Sequence, residues 1–369
     1  MKNILIAIRS IFKKGRHNVM KIVSLGIGLA VGLVLIAKVY FEQSYDDFYP
    51  DRDRVYQVWA KYQQNGGELK DYPQTSGGIA PTMQQQIPEI ETVTRYTSFG
   101  DWTFTMTDTK MKYSGRCIIA DSCFFDILPR PMLIGNAKEV LSTPMYVLIS
   151  SRIAKNIGGD VIGKNFTVDN SPGRTMTIGG VFEEVPENSH SRYDVIVSMA
   201  SAGRFMWEGS PTNMLGNDRY ISYVKLHKGV NPLALEEQVR TFVNSYFPPE
   251  EQQKVGLSID FSFHKLDNLH KELPQVKRMT WILSLLAFAL IFTAVMNYIL
   301  IVISSIVNRS KEVAVHKCYG ASENNIHGMM FGEALVHIVL SLILALLLIL
   351  AFRGTVEELL ATSLDSLLL

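Results

Sequence analysis

Three long apolar stretches constrain the fold of this 369-residue chain more than any other feature. They run over residues 22–41, 279–307 and 334–352, and a polar stretch of more than two hundred residues separates the first from the second. A helix needs about 20 apolar residues to cross the hydrocarbon core of a bilayer. The second stretch exceeds that length, so it must tilt or project from the membrane. The sequence therefore predicts a membrane protein with three α-helical transmembrane segments.

The segment before the first apolar stretch is strongly basic. Residues 1–21 contain six Lys and Arg residues and no Asp or Glu, so the positive-inside rule predicts a cytoplasmic N-terminus. No small-residue cleavage site follows the stretch, which predicts an uncleaved anchor rather than a signal peptide. Apolar residues recur at helical spacing in this segment, at Ile4, Leu5, Ile8, Ile11 and Phe12. This pattern predicts a basic amphipathic helix on the membrane lipids, with a plain extension of the first span as the alternative.

Three crossings then fix the side of each remaining segment. Residues 42–278 are predicted to be extracytoplasmic, 308–333 cytoplasmic and 353–369 an extracytoplasmic tail. Residues 42–278 carry 25 Lys and Arg against 29 Asp and Glu, and this acidic balance contrasts with the basic N-terminus. The whole chain has a net charge of only +1, so a nucleic-acid partner is not expected.

Short β-like runs alternate with helical patterns between residues 42 and 278. The predicted strands are Arg54–Trp59, Met176–Phe182, Tyr193–Val197 and Tyr220–Leu226. Helical spacing is found over Pro81–Ile87, Ser150–Ile157 and Leu233–Phe247. The alternation predicts a large α+β domain, rather than a sandwich, inserted between the first and second spans.

The first span contains small residues at every fourth position. Ser24, Gly28 and Gly32 are expected to form one smooth helix face, and such faces let helices approach closely in lipid. We predict that this face packs on the second span near Ala287, Ala294 or Asn297. The alternative is that glycine is simply common in membrane helices.

Catalytic and metal-binding patterns are weak. Ser189, His190 and Asp194 lie too close together in one extended segment to form a triad easily, and no G-x-S-x-G motif accompanies them. Cys117 and Cys123 lack a CxxC pattern, and either a disulfide or a reduced pair is compatible with their spacing. The eight histidines show no metal-ligand spacing. The sequence therefore predicts no catalytic, cofactor-binding or metal-binding residues and no enzymatic activity.

His337 lies inside the third span. An intramembrane histidine can line a polar path, whereas one near the interface more often reaches toward water. Both interpretations remain open from the sequence.

The short connection between the second and third spans has the pattern of a bent helical elbow. Arg309 to Tyr319 can form a helix ending at Gly320, and Ser322 can cap the following helix with Glu323 in its first turn. A rigid elbow of this kind would transmit force. The alternative is an ordinary helix-turn-helix whose charged residues are solvated.

Several segments together resemble a known family. Around the elbow these are Asn297-Tyr298, Ser304-Ser305, RSKEVAVHKCYGAS over 309–322, and Phe331 to Ala334. Elsewhere they are SLGIGLA over 24–30, EQSYDDF over 42–48, Gly180 to Phe182, and PENSH over 186–190. The chain resembles the FtsX/MacB-like ABC transporter permeases, including the MacB-like periplasmic core domain found in two-membrane bacteria.

The resemblance implies a permease subunit in the bacterial inner membrane that couples ATP hydrolysis by a separate ATPase to movement of its periplasmic domain, for efflux or extraction of a substrate. The chain contains no G-x-x-x-x-G-K-[ST] motif of its own. The family implies that the elbow contacts the ABC ATPase subunit. The residues expected to do so here are Arg309, Lys311, Glu312, Lys317, Gly320, Ala321 and Ser322.

The tail departs from the family pattern, which ends with a fourth span. Residues 353–369 include Glu357, Glu358 and Asp365 and cannot form one. We therefore expect either missing C-terminal helices or a second permease subunit that completes the transporter. The alternative function is a membrane-anchored extracytoplasmic sensor or scaffold without transport activity, although a sensor should continue into a cytoplasmic signalling module.

Overall fold

The structure is a computed structural model that describes residues 18–169, 171–308, 315, 318–319 and 323–367. It divides into two compact units. Tyr45–His270 form one unit, here called the outer domain, and Met1–Ser44 with Lys271–Leu369 form the other, here called the membrane unit. The predicted amphipathic helix over residues 1–21 lies almost wholly outside the described residues, and so does most of the predicted elbow.

The described helices and strands follow one another in a mixed order. The helices are α1 (Asn18–Gln43), α2 (Ile79–Gln86), α3 (Phe124–Ile127), α4 (Ala137–Ser142), α5 (Ser151–Ile157), α6 (Ala202–Phe205), α7 (Glu236–Tyr246), α8 (Pro249–Val255), α9 (Pro274–Asn308), α10 (Glu323–Ala351), α11 (Arg353–Leu360) and α12 (Leu364–Leu367). The strands are β1 (Val55–Gln64), β2 (Lys70–Tyr72), β3 (Ile90–Met106), β4 (Lys112–Ala120), β5 (Met132–Ile134), β6 (Tyr146–Ser150), β7 (Asn165–Val168), β8 (Ser171–Phe182), β9 (Val195–Ser198), β10 (Ile221–Leu226) and β11 (Leu257–Lys265).

Three of the helices are long and apolar enough to cross a bilayer. The qualifying segments are Asn18–Gln43, Pro274–Ser305 and Ile326–Ala351, which lie in α1, α9 and α10. Each helix extends past the apolar stretch from which its span was predicted, because backbone hydrogen bonding continues into the flanking polar residues. The outer domain is inserted between the first and second of these helices, as the sequence predicted.

One mixed sheet of eleven strands organises the outer domain. Its order is β11-β1-β10-β3-β4-β9-β6-β8-β5, with β2 paired to β1 and β7 paired to both β3 and β8. The β4–β9 and β6–β8 pairs are parallel. The remaining pairs are antiparallel. The predicted α+β class is therefore confirmed.

Part of this sheet closes on itself. Strand β7 joins β3 on one side and β8 on the other, so β3, β4, β9, β6, β8 and β7 form a ring. All six strands contribute alternate residues to one buried cluster, which fills the interior of the ring. These residues include Phe104, Met106, Cys117, Ile119, Val147, Ile149, Phe166, Val168, Met176, Ile178, Val195 and Val197. Closure leaves these strands without a free edge.

Two further apolar clusters lie outside the ring interior, where helices and loops pack against the sheet. One joins α2 and α7 to β1, β3, β10 and β11 through residues such as Met83, Val239, Phe242 and Phe261. The other contains Tyr49, Phe124, Leu141, Tyr193 and Tyr223. The helices of the outer domain are therefore amphipathic elements that bury one face against the sheet.

The ring interior should be sensitive to loss of volume. Phe166 is 1% exposed and its ring centroid lies 5.1 Å from that of Phe104. We expect Phe166→Ala to lower the free energy of unfolding by about 3–5 kcal/mol, because it removes buried apolar surface and leaves a cavity. Chemical denaturation of the full-length protein, followed by near-UV circular dichroism, measures the change. Thr167→Ala on the neighbouring, half-buried position is the control and should change it by less than about 1 kcal/mol.

Candidate functional site: helix contacts and the base of the outer domain

The small residues of α1 lie against α9. Asn297 donates a hydrogen bond from Nδ2 to Ser24 Oγ over 2.6 Å. A Cβ atom placed on Gly28 would lie 2.2 Å from the Cβ of Ala294, and one on Gly32 would lie 2.4 Å from Cγ1 of Ile291. The two helix backbones therefore approach closely along this face, and a larger residue would force them apart.

A different glycine of α1 faces α10. A Cβ atom on Gly26 would lie 2.9 Å from Cδ2 of Leu344 and 3.2 Å from the carbonyl oxygen of Ser341. Ser341 also donates from Oγ to the carbonyl oxygen of Ile22 over 3.1 Å. Helix α1 consequently uses separate glycines for its two neighbours in the membrane unit.

Polar side chains join the three helices at one end of the bundle. The buried Lys21 donates from Nζ to Ser305 Oγ over 3.0 Å and links α1 to α9. The hydroxyl of Tyr298 lies 3.4 Å from Nδ1 of His337 and links α9 to α10. Glu333 and His337 are both buried, and with Lys21, Tyr298 and Ser305 they line a small cavity of about 40 Å³. His337 therefore faces the bundle interior.

Another buried lysine lies toward the other end of α1. Lys38 forms a 2.7 Å ion pair with Glu42 and donates to Oγ1 of Thr362 over 2.6 Å. Thr362 stands between α11 and α12, and Leu364 and Leu367 of α12 are also buried. The tail is therefore folded against α1. Sequence reasoning could not find this contact, because a charged residue in an apolar stretch carries no sign of a partner 324 residues away.

In the outer domain, two segments that carried the family resemblance meet. The Asp46 carboxylate accepts hydrogen bonds from Ser189 Oγ at 2.9 Å and from the backbone N–H of His190 at 3.1 Å. The N–H of Asp46 donates to the carbonyl oxygen of Asn188 over 2.9 Å. Sequence reasoning did not connect these segments, since 143 residues separate Asp46 from Ser189.

Asp46 occupies an unusual environment for a carboxylate. It is 1% exposed and has a φ of 59°, a left-handed conformation that aspartate adopts more readily than most residues. Burial raises its pKa to about 6, and hydrogen bonds from His190 and Ser189 oppose that rise only in part. The pKa of the Asp46 carboxyl thus lies closer to neutral pH than that of an ordinary aspartate.

The Ser189, His190 and Asp194 set does not form a catalytic triad in the structure. Ser189 bonds to Asp46, whereas Asp194 forms a 2.6 Å ion pair with Arg152 and accepts from the N–H of Arg116. Cys117 and Cys123 are free thiols, and Cys117 is buried. The expected ATPase-contacting residues, Arg309, Lys311, Glu312, Lys317, Gly320, Ala321 and Ser322, lie outside the described residues.

Three described residues lie within the predicted elbow. The N–H of Tyr319 donates to the carbonyl oxygen of Val315 over 3.0 Å, which is helical spacing. Val315 is 54% exposed and Tyr319 is 88% exposed. Cys318, beside them, is also exposed. Two large apolar side chains are thus presented one turn apart.

The fold and these contacts define a multi-pass membrane protein with a large extracytoplasmic α+β domain. Residues 20–242 match the family model for the MacB-like periplasmic core domain, and residues 284–367 match the model for the FtsX-like permease C-terminal region. Because the first match covers more than half of the chain, the protein belongs to the FtsX/MacB-like ABC transporter permeases. No curated protein matches the chain significantly.

Two solved structures match part of the chain. A crystallised domain of a protein described as a permease from Porphyromonas gingivalis is 33% identical, with a TM-score of 0.54, and the match covers 59% of this chain and 91% of that domain. The extracellular domain of the noncanonic ABC-type transporter YknZ from Gram-positive bacteria is 11% identical with a TM-score of 0.38, over 56% of this chain and 98% of that one.

The close approach at Gly28 can be tested against that at Gly32. We expect Gly28→Ala to destabilise the membrane unit by about 1–3 kcal/mol, because the short, fixed Cβ of Ala294 cannot move aside. Gly32→Ala should cost less, since it meets the rotatable side chain of Ile291. Thermal unfolding of the detergent-solubilised protein measures both. Equal losses in the two variants would contradict the close contact assigned to Gly28.

Proposed function

We propose that this chain is a permease subunit that couples ATP hydrolysis by a separate ABC ATPase to movement of the outer domain, and thereby exports or extracts a substrate. The mechanism is mechanical, because the bundle presents close helix contacts and small polar clusters rather than a row of polar residues suited to an aqueous pore. The observation that carries the proposal is the exposed apolar pair Val315 and Tyr319 on the connection between the second and third spans.

The bundle contacts favour transmission of force from this connection. Lys21, Ser305, Tyr298 and His337 tie the three helices together at the end from which the connection leaves α9. A displacement of the connection would therefore move α9 and α10 with α1 rather than bend one helix alone. Arg309, Lys311, Glu312, Lys317, Gly320, Ala321 and Ser322 remain the proposed contact residues around Val315 and Tyr319.

The proposed location is the bacterial inner membrane, with the N-terminus in the cytoplasm and the outer domain in the periplasm. The six basic residues among the first 21 support this orientation. A second permease subunit, or a further permease half, is the proposed partner within the membrane. The small-residue face of Ser24, Gly28 and Gly32 is already used inside this chain, so that partner would contact other faces.

The orientation predicts opposite labelling of two cysteines. Glu208→Cys, at an exposed outer-domain position, should react with a membrane-impermeant maleimide applied to cells whose outer membrane is permeable to it. The native Cys318 should react only after the inner membrane is permeabilised. Ser210 is unsuitable for this purpose, because it is buried and bonds to the Tyr220 hydroxyl.

Cys318→Ser provides the control for the inner site, and the buried Cys117 should stay unlabelled throughout. Labelling of both Cys318 and Glu208→Cys from the same side would overturn the proposed orientation.

The elbow predicts a specific loss of coupling. Tyr319→Ala should leave the protein in the membrane but weaken association with the ATPase by about tenfold or more, as expected for loss of an aromatic anchor. Pull-down of the ATPase and substrate-stimulated ATP turnover measure the effect. Leu233→Ala, which removes an apolar side chain that is 73% exposed on the outer domain, is the control and should change neither. Unchanged association in Tyr319→Ala would count against the elbow as the contact.

A further inference from the structure

The two ends of the outer domain, which follow the first span and precede the second, meet in a polar cluster. This cluster is here called the junction and consists of Tyr45, Asp46, the loop 186–191 and His270. Tyr45 and His270, the first and last residues of the outer domain, stack with ring centroids 3.4 Å apart and planes within 5°. Asp46 is held by Ser189 and by the N–H of His190, as described above. The junction therefore gathers both ends of the outer domain and one internal loop.

The loop is in turn anchored in the core. Ser191 Oγ lies 2.7 Å from the hydroxyl of Tyr96 on β3, and the hydroxyl of Tyr223 on β10 lies 3.4 Å from the same atom. Both tyrosines are buried in the apolar cluster that also contains Tyr49. Consequently Asp46 links the connector after α1 to the central strands of the sheet through two serines.

Burying the charge of Asp46 is compensated mainly by neutral donors. Among the described residues, no lysine or arginine forms an ion pair with it, and its hydrogen-bond partners are one hydroxyl and one backbone N–H. The charge of His270 favours the ionised carboxylate to a smaller extent. A buried carboxylate without an ion-pair partner is costly when ionised and inexpensive when protonated. The geometry therefore makes the strength of the junction depend on the charge of Asp46.

We propose that Asp46 is a proton-binding site whose occupancy closes the junction. Protonation then stabilises the contact between the outer domain and the connector after the first span, and ionisation weakens this contact. The proposal goes beyond the proposed function and requires no transport step. The bound species is a proton from the extracytoplasmic side. The proton is carried by Oδ2, whose one polar contact among the described residues is the longer branch, at 3.3 Å, of the hydrogen bond from the N–H of His190, whereas Oδ1 accepts from both Ser189 and His190.

The direction in which pH changes the stability of the closed junction follows from the linkage between proton binding and closure. In an open junction the carboxyl meets water and titrates near its ordinary pKa, whereas in the closed junction burial raises the pKa to about 6. The closed state therefore binds the proton more tightly, and it loses stability as pH rises through about 6. Several other titratable or charged groups surround Asp46. Asp47 and Tyr49 lie on its own segment, His190 lies on the loop, and His270 lies at the end of the outer domain. The buried tyrosines Tyr96, Tyr193 and Tyr223 come from the core, and Arg130 interacts with Tyr49 and Tyr193.

Hydrogen exchange of the full-length protein in lipid nanodiscs tests the proposal. The reporters are peptides covering 44–49 and 186–191, corrected for the intrinsic pH dependence of exchange. In wild type, the opening equilibrium should rise by at least about tenfold between pH 5 and 7.5, relative to Asp46→Asn. Asparagine keeps an acceptor oxygen but cannot ionise, and the ratio cancels those effects of His190 and His270 that do not depend on the charge of Asp46.

Asp47→Asn is the matched control, because Asp47 is partly exposed and forms an ion pair with Arg52. It should keep the rise in opening with pH and move the midpoint only slightly to lower pH, because the Asp47 charge is the smallest of the named contributions to the Asp46 pKa. A wild-type to Asp46→Asn ratio that does not change with pH would overturn the proposal.

Ser189→Ala supplies an independent check should Asp46→Asn fail to fold. It removes one donor to the carboxylate but leaves the carboxyl in place, so the Asp46 pKa should rise and the midpoint of opening should shift to higher pH. Carbonyl-carbon nuclear magnetic resonance of labelled aspartate reports this titration directly. An Asp46 carboxyl that titrates near pH 4 in wild type would refute the proposal.

Discussion

Lipid removes the force that usually packs helices, and the membrane unit depends on how this chain replaces it. Apolar burial gives no advantage between helices in a bilayer, so association requires close backbone approach and a few polar contacts. Close backbone approach is found at Gly28 against Ala294 and at Gly26 against Leu344. A polar contact is found between Lys21 and Ser305. The Gly28 and Lys21 contacts join α1 to α9, and the Gly26 contact joins α1 to α10. The bundle is therefore specified by particular atoms rather than by general hydrophobicity.

The outer domain solves the opposite problem in water. There, burial is the driving force, and the ring of six strands encloses one of three apolar clusters without leaving those strands an open edge. Two parallel pairs and several antiparallel ones meet in the same ring, so segments distant in the chain become neighbours. This arrangement also brings the loop before β9 to the connector after α1, where Asp46 meets Ser189.

Local periodicity was enough to predict much of this architecture. The three spans and the α+β class followed from apolar length and from alternating strand and helix patterns, and the observed strands β1, β8, β9 and β10 overlap the predicted ones. The recurrence of small residues at every fourth position also predicted the helix-packing face formed by Ser24, Gly28 and Gly32. The closure of the ring could not be predicted from the sequence, because β7 has only four residues and its sequence does not specify which strands it pairs with. The partners of Lys21, Lys38 and Asp46 could not be predicted, because a charged residue is expected to be exposed to solvent unless a distant partner is known.

Only two covalent connections join the units, one between Ser44 and Tyr45 and one between His270 and Lys271. Any force passing along the chain from α1 or α9 must therefore reach the outer domain through Tyr45 or His270, which stack on each other. An apolar contact at this place would resist displacement equally under all conditions. A buried carboxylate resists it most when neutral, and hydroxyl and amide donors give its position a defined geometry. The proposed protonation of Asp46 would therefore act where the two chain ends of the outer domain meet.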